Sequence, residues 1–299
     1  MNIVAIEEGT SRLTIKIFYS PRQTAAANRS YSPSAQKPAL VVDAWRRLGL
    51  PLEFVEPVPA SVTDFCRAHD QAYVLGVLAG RVANGFGNTL DEIRGTLPWT
   101  SGSMISAAEH AVRHRECTFS PTSGFHHAGW QQGNAFCTFN GLLVAALALH
   151  ARGLARRVAI LDCDQHFGDG TRDIIRRLGL GWIAHYTYGA SPVKAEASAA
   201  WLAKLPELVS ETLRDCELVL YQAGADPHRE DPLGGAFTTD QLAERDRIVY
   251  ETCRELGVPV VTTLAGGYQK PVEKVVQLHV NTLLRYAAVH GIGSTVVAG

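Results

Sequence analysis

The feature that most constrains the fold is a series of short, unbroken apolar runs of β-forming residues with helical patterns between them. Most of these runs lack in/out alternation, which is typical of parallel strands that are covered on both faces. They predict strands over residues 14–20, 52–57, 157–164, 218–224 and 258–267. The intervening patterns predict helices over residues 61–79, 103–113, 140–152, 171–178, 240–256 and 271–288. Regular alternation of this kind favours one doubly wound α/β domain.

Composition and charge argue against several classes of protein. The chain has 299 residues, of which 46% are apolar, and it can therefore bury a large core. Its net charge of -1, without a basic stripe, argues against a nucleic-acid partner. No apolar run reaches the roughly 20 residues of a membrane span, and the N-terminus lacks a secretory signal, so no membrane partner is expected. Residues 1–13 are interpreted as a disordered extension or an expression remnant, which leaves residues 14–299 for the domain.

The cysteines bear on the cellular compartment and on metal binding. All 6 are scattered along the chain without a CxxC pair. This pattern indicates reduced, mostly buried thiols in a cytoplasmic protein and argues against zinc held by cysteine. The oligomeric state stays open, a homo-oligomer included.

Metal-seeking side chains follow two of the predicted strands, at the position where ligands bind in doubly wound folds. Asp164 and His166 stand two residues apart, so an extended backbone projects them to the same side. Asp226 follows the strand at 218–224. Two carboxylates and one imidazole suit catalytic Zn²⁺, and also Fe(II) or Co(II). The alternative is that these residues only form a turn or a helix cap.

The stretch LDCDQHFGDG, residues 161–170, favours the metal over the turn, because Asp162 adds a third ionisable group at an alternate position. A carboxylate buried at that point needs a partner, since an unpaired charge in a core is very costly. The partner could be a histidine or a monovalent cation.

Groups suited to proton transfer and oxyanion binding occur in two glycine-containing loops. His126 and His127 are adjacent, and a carboxylate beside a histidine tunes its proton affinity near neutral pH. Asp162 and Asp169 are the available partners. Tyr268 follows two glycines and could donate a hydrogen bond to an oxyanion as it forms. Taken one at a time, the histidine pair and the tyrosine are compatible with purely structural roles.

Taken together, these segments resemble the zinc-dependent histone deacetylase superfamily, which includes bacterial histone-deacetylase-like amidohydrolases and acetylpolyamine amidohydrolases. The resemblance covers roughly residues 14–290, and its segments follow the order found in that family. They are HDQAYV (69–74), SGFHHAG (123–129), NAFCTFNG (134–141), LDCDQHFGDG (161–170), YQAGADPHREDPLGG (221–235) and LAGGY (264–268).

The resemblance implies an arginase/deacetylase-type α/β fold, in which an eight-stranded parallel sheet carries helices on both faces. It also implies a zinc-dependent deacylase that hydrolyses an N-acyl amide, such as acetyl-lysine or an acetylpolyamine. Its partner would be that acyl-lysine or small N-acylated amine. Zinc would be bound by Asp164, His166 and Asp226.

The resemblance also implies the remaining roles at the site. A structural potassium ion would lie at Asp162, with backbone carbonyls around Asp164 and His166. His126 and His127 would be the tandem histidines, paired with Asp162 and Asp169 respectively. Tyr268 would polarise the amide carbonyl. The substrate tunnel would be formed by Phe136, Ala135, Gly266 and Gly267.

This sequence departs from the family pattern at the substrate-binding end. The family often has a Ser-x-His followed by a loop that supplies a second tunnel aromatic; here Tyr188 is the candidate for that wall. The rim aspartate of some members has Asn88 or Asp91 as its candidate counterparts. Ala265 stands where the family has the first of three glycines.

Two other functions are alternatives to the deacylase. A ureohydrolase with two manganese ions needs more carboxylate ligands than one DxDxH stretch and one GADP stretch provide. A non-catalytic binding protein on the same fold would be indicated by a missing ligand or tyrosine, and none is missing.

Overall fold

The computed structural model describes residues 14–26 and 30–293. The interpretation of residues 1–13 lies outside the described residues.

The centre of the described chain is a parallel sheet of 7 strands in the order β2-β1-β3-β7-β6-β4-β5. Each neighbouring pair of strands is parallel. The strands are β1 (Ile15–Phe18), β2 (Leu52–Val55), β3 (Thr118–Ser123), β4 (Val158–Asp162), β5 (Ile183–Thr187), β6 (Leu218–Gly224) and β7 (Val260–Ala265).

Helices cover both faces of this sheet, as expected from the unbroken apolar strands. Ala159 and Leu161 of β4 pack into one apolar layer, whereas Val158 and Ile160 pack into the layer on the other face. The helices are α1 (Lys37–Arg46), α2 (Val62–Ala68), α3 (Gln71–Leu78), α4 (Asp91–His114), α5 (Gly141–Ala151), α6 (Asp169–Leu178), α7 (Ser198–Thr212), α8 (Thr239–Leu256) and α9 (Glu273–Val289).

The prediction of eight strands is wrong for the described chain, which has 7. At the β5 edge of the sheet, the chain does not continue as a further strand. After β5 the chain turns at once into a 3-10 helix, Tyr188–Ala190, and then meets Pro192, which has no N–H to donate to a further strand. From there α7 returns the chain to β6, in the interior of the sheet.

Several predicted boundaries also change. The helix predicted over 61–79 is two helices, because Asp70 caps a new one by accepting a hydrogen bond from the Tyr73 N–H at 3.0 Å. The helix predicted over 240–256 begins at Thr239, with Thr238 as its N-cap.

Among the described residues, no helix is both long enough and apolar enough to cross a membrane. The cysteines, all of them in the described part of the chain, are free thiols.

Candidate metal centre and catalytic site

The site lies at the carboxyl ends of adjacent strands. β3, β7, β6 and β4 are neighbours in that order, so the segments that follow them converge at one edge of the sheet. The segments after β4, β6 and β7 contain the predicted ligands and Tyr268, and the tandem histidines follow β3.

The structure brings Asp164, His166 and Asp226 together. One donor atom from each lies within 4.8 Å of the others. His166 Nδ1 is 3.1 Å from Asp164 Oδ1 and 3.0 Å from Asp226 Oδ2. Asp226 Oδ1 accepts the Gln165 N–H, but the buried Oδ2 has no partner in hydrogen-bond geometry. An orphaned buried carboxylate oxygen is costly, so this donor set fits a bound cation.

The pKa shifts of these three residues also favour a bound cation. The hydrogen bond to Asp164 and the nearby Asp226 carboxylate raise the pKa of His166 to about 10. Burial, together with the Asp164 charge, raises the pKa of Asp226 to about 7. Burial alone would raise the pKa of Asp164, but His126 and His166 hold it well below its usual range. Two carboxylates in one buried site thus attract positive charge, and a divalent cation would supply it.

Each of the tandem histidines has its own carboxylate. His126 Nδ1 is 2.7 Å from Asp162 Oδ2, and His127 Nδ1 is 2.6 Å from Asp169 Oδ1. The two imidazole rings lie 4.1 Å apart between centroids. Burial lowers the pKa of His126, but Asp162 and Asp164 outweigh it and raise the value to about 9.

Asp162 accepts more than one hydrogen bond. Its Oδ1 accepts the Asp164 N–H at 3.1 Å and the Gln222 amide at 3.0 Å. Gln222 Oε1 in turn accepts the Phe125 N–H at 3.2 Å. The residue before the tandem histidines is therefore fixed to the strand that leads to Asp226.

The two glycines before Tyr268 are required by the close approach of their backbone to neighbouring side chains, in one case a predicted ligand. Gly266 has φ +48°, and a Cβ there would stand 2.2 Å from Asp226 Cγ. Gly267 has φ +90°, and its Cβ would stand 2.5 Å from Val275. Both φ values lie in the left-handed region that favours glycine.

Tyr268 is held by its backbone and kept protonated by its surroundings. Its N–H donates to Asp231 Oδ2 at 2.7 Å. Burial, with the charges of Asp164 and Asp226, raises the pKa of the Tyr268 hydroxyl far above its usual value. The raised pKa keeps the phenol protonated near neutral pH, where it can donate a hydrogen bond.

A narrow cleft reaches the ligands from the surface. Ala135 and Phe136 form part of its wall and both have positive φ, 42° and 70°. The Phe136 N–H donates to the Gly85 carbonyl at 2.8 Å, which holds the turn in place. The cleft is lined by these two residues with His126, His127, Asp164, His166, Gly266 and Tyr268.

The candidates for the second wall and the rim do not line the cleft. Tyr188 is only 2% exposed and packs between Trp201 and Phe237 in the core, so its assignment to the tunnel is wrong. Asn88 bonds to Asn84 within its own loop, and Asp91 pairs with Arg94 at the start of α4.

Sequence reasoning missed two residues near the site, Tyr31 and Lys37. Lys37 is fully buried at the start of α1, and its Nζ donates to the Gly266 carbonyl. Burial lowers the pKa of Lys37 to about 8, although Asp226 and Asp164 act in the opposite direction. No signal in the sequence could have marked it, since its partner lies 229 residues away.

The buried Lys37 should make stability depend on alkaline pH. Its pKa is about 8 in the folded protein against 10.5 for an unperturbed lysine, so the unfolded chain holds the proton more tightly. Unfolding therefore takes up a proton between these values, and the free energy of unfolding rises with pH. Relative to Lys37→Met, the wild type should gain about 2 kcal/mol between pH 7 and pH 10. Urea unfolding of both proteins at matched metal content measures this, and a difference independent of pH would contradict it.

Comparison with known proteins agrees with this fold. The structure of an acetylpolyamine aminohydrolase from Burkholderia pseudomallei superimposes with a TM-score of 0.70 at 19% identity, covering 92% of this chain and 99% of the other. The likeness shows the shared fold. An uncharacterized protein of Picosynechococcus sp. is 31% identical over 222 residues, 64% of this chain and 72% of the relative. Histone deacetylase 2 of Arabidopsis thaliana is 27% identical over 261 residues, 77% of this chain and 67% of the relative.

The family itself follows from the match to the histone deacetylase domain. That domain matches residues 32–179 and 184–283. The chain belongs to the histone deacetylase domain family.

Proposed function

We propose that the protein is a zinc-dependent deacylase that hydrolyses an N-acyl amide, such as acetyl-lysine or an acetylpolyamine. The observation that carries the proposal is the orphaned Asp226 oxygen beside Asp164 and His166. Asp164 and His166 line a cleft together with the tandem histidines and Tyr268. The relatives support the chemistry, since a histone deacetylase and an acetylpolyamine aminohydrolase are among the similar proteins.

In the proposed site, Asp164, His166 and Asp226 hold the zinc ion. Bound zinc supplies a Lewis acid for the amide carbonyl and lowers the pKa of a water molecule. The fit rests on the donor set, because two carboxylates and one imidazole leave a position open as catalytic zinc sites do.

His127 is the proposed general base and acid. It takes a proton from the attacking water and later gives it to the departing amine nitrogen. The side chain of His127 is 16% exposed, against 3% for that of His126, so it can reach a leaving group in the cleft. Asp169 accepts its Nδ1–H and orients the ring.

Tyr268 and the cleft wall complete the proposed mechanism. The Tyr268 hydroxyl donates a hydrogen bond to the oxyanion that forms from the carbonyl oxygen. Phe136 packs against the chain on the amine side of the substrate, and the Ala135 carbonyl accepts the amide N–H. His126 and Asp162 form a buried second dyad, and His126 Nε2 lies 3.6 Å from Asp164 Oδ1.

Other expectations from the sequence stay predictions. A potassium ion beside Asp162 would depend mainly on backbone carbonyls, because both carboxylate oxygens already accept hydrogen bonds from protein groups. The cytoplasmic location and a homo-oligomeric state likewise stay predictions. A ureohydrolase with two metals is disfavoured, since the described residues contain one candidate metal group.

The test is acetate release by the zinc-loaded protein from an acetyl-lysine peptide and, separately, from an N-acetylpolyamine. We expect release from at least one, well above that of the Tyr268→Phe protein. Release from only one substrate would name the substrate class. A zinc-loaded protein that releases acetate from neither would favour the non-catalytic binding protein or a different acyl group.

A further inference from the structure

We propose that Tyr31 determines specificity at the entrance to the site, by contacting the chain that links the acylated nitrogen to the rest of the substrate. The proposal rests on the proposed function, since it names the part of the substrate that this cleft selects. It also assigns an aromatic contact at the entrance, a role that Tyr188 cannot fill.

The position of the Tyr31 ring carries the inference. Its centroid lies 5.3 Å from that of Phe136, edge to face at 82°, and 6.1 Å from that of Tyr268. Phe136 and Tyr268 are themselves 6.1 Å apart, so the three rings form one cluster. Two of its members line the cleft that reaches the metal ligands.

Of the three rings, Tyr31 is the most exposed to solvent. Tyr31 is 64% exposed, whereas Phe136 and Tyr268 are half-buried. A single exposed aromatic side chain is common on a protein surface, so what distinguishes Tyr31 is its contact with the two rings that line the cleft. A substrate group that leaves the cleft past Phe136 and Tyr268 meets Tyr31 next.

Hydrogen bonds hold the described residues before and after Tyr31. The Ala25 N–H donates to the Ala35 carbonyl at 3.0 Å, and the Gln36 side chain donates to the Ala26 carbonyl at 2.6 Å. Next to the ring, the Ser32 N–H donates to Ser30 Oγ at 3.2 Å. The described residues that flank Tyr31 are thus held by hydrogen bonds.

The distance between the Tyr31 and Phe136 rings limits where a methylene chain can lie. A methylene chain between two facing rings needs about 7–8 Å, which is two carbon contacts of about 3.5–4 Å each. The 5.3 Å between Tyr31 and Phe136 is less than this. We therefore expect an unbranched chain to lie along the two rings, not between them. Such a surface favours ligands with a long methylene chain over ligands without one, and a distal ammonium group would gain further from the Tyr31 face.

The experiment measures chain-length selectivity without turnover. Zinc-loaded wild type, Tyr31→Ala and Tyr31→Phe are titrated by calorimetry with octanohydroxamic acid, which carries a chain, and acetohydroxamic acid, which carries none. We expect Tyr31→Ala to weaken binding of the long ligand about ten-fold and of the short ligand less than two-fold, because one aromatic contact is lost. Tyr31→Phe should keep the affinity of the wild type.

Val58→Ala is the matched control, since Val58 is an exposed apolar side chain, 74% accessible, outside the cleft. It should leave both affinities unchanged. Equal losses for the two ligands in Tyr31→Ala, or no loss for either, would overturn the role of Tyr31. If the zinc-loaded wild type binds neither ligand, both the proposed function and the role of Tyr31 are overturned. If the wild type binds and Tyr31→Ala binds both ligands as well as the wild type does, only the role of Tyr31 is overturned.

Discussion

Replacing Tyr268 with phenylalanine is expected to lower kcat about 100- to 1,000-fold while zinc content stays that of the wild type. One donor to a developing oxyanion is typically worth that much. The structure makes the loss specific to the hydroxyl, because the residue is positioned through its backbone N–H, which donates to Asp231 and survives the substitution. The ring also keeps its contacts with Phe136 and Tyr31. Steady-state kinetics with the preferred substrate and zinc analysis of the same sample measure the two quantities.

Tyr286→Phe is the matched control for this experiment. Tyr286 lies on α9 and packs on Phe119 and Tyr250, away from the cleft. The Tyr286→Phe protein, which lacks this hydroxyl, should have a kcat near that of the wild type. A Tyr268→Phe protein that turns over at a normal rate would remove Tyr268 from the mechanism, and one that has also lost zinc would show that the tyrosine supports the metal centre instead.

Much of the architecture could be predicted because buried parallel strands leave a strong mark on the sequence. β4 and β6 are continuous apolar runs, and both were predicted close to their observed bounds. β3 and β5 were missed for physical reasons. β3 reads TFSPTS, with polar residues, Pro121 and a shift of register between Ser120 and Ser123. β5 reads IAHYT and lies at the edge of the sheet, where polar residues are tolerated.

The metal ligands of the candidate site can be predicted from the sequence, whereas the residues at its entrance cannot. Asp164 and His166 stand in one short segment, and the spacing of two residues indicates a shared direction. The entrance is made by contacts between distant parts of the chain, which no local pattern encodes. Tyr31 contacts Phe136 and Tyr268, which are far from it in the sequence. Tyr188 packs into the core against Trp201 and Phe237.

Asp226→Asn is expected to weaken zinc binding by at least about 100-fold, the upper end of the cost of losing an outer partner of a metal ligand. The side chain fills the same space, which matters because Gly266 leaves no room around it. The amide oxygen can still accept the Gln165 N–H, so the loop should keep its conformation. What is lost is the negative charge on the buried oxygen that has no other partner. Zinc affinity is measured by competition with a chromogenic chelator.

Asp173→Asn separates this effect from a general loss of negative charge near the site. Asp173 lies on α6, is exposed, and accepts the Trp130 N–H at 2.9 Å, which an amide oxygen can also do. The zinc affinity of the Asp173→Asn protein should match that of the wild type. Because Asp226 is the ligand supplied by β6, its replacement also tests whether the ends of two strands share one ion. Zinc held with normal affinity by Asp226→Asn would mean that Asp164 and His166 bind the metal without it, and the proposed centre would then have the wrong composition.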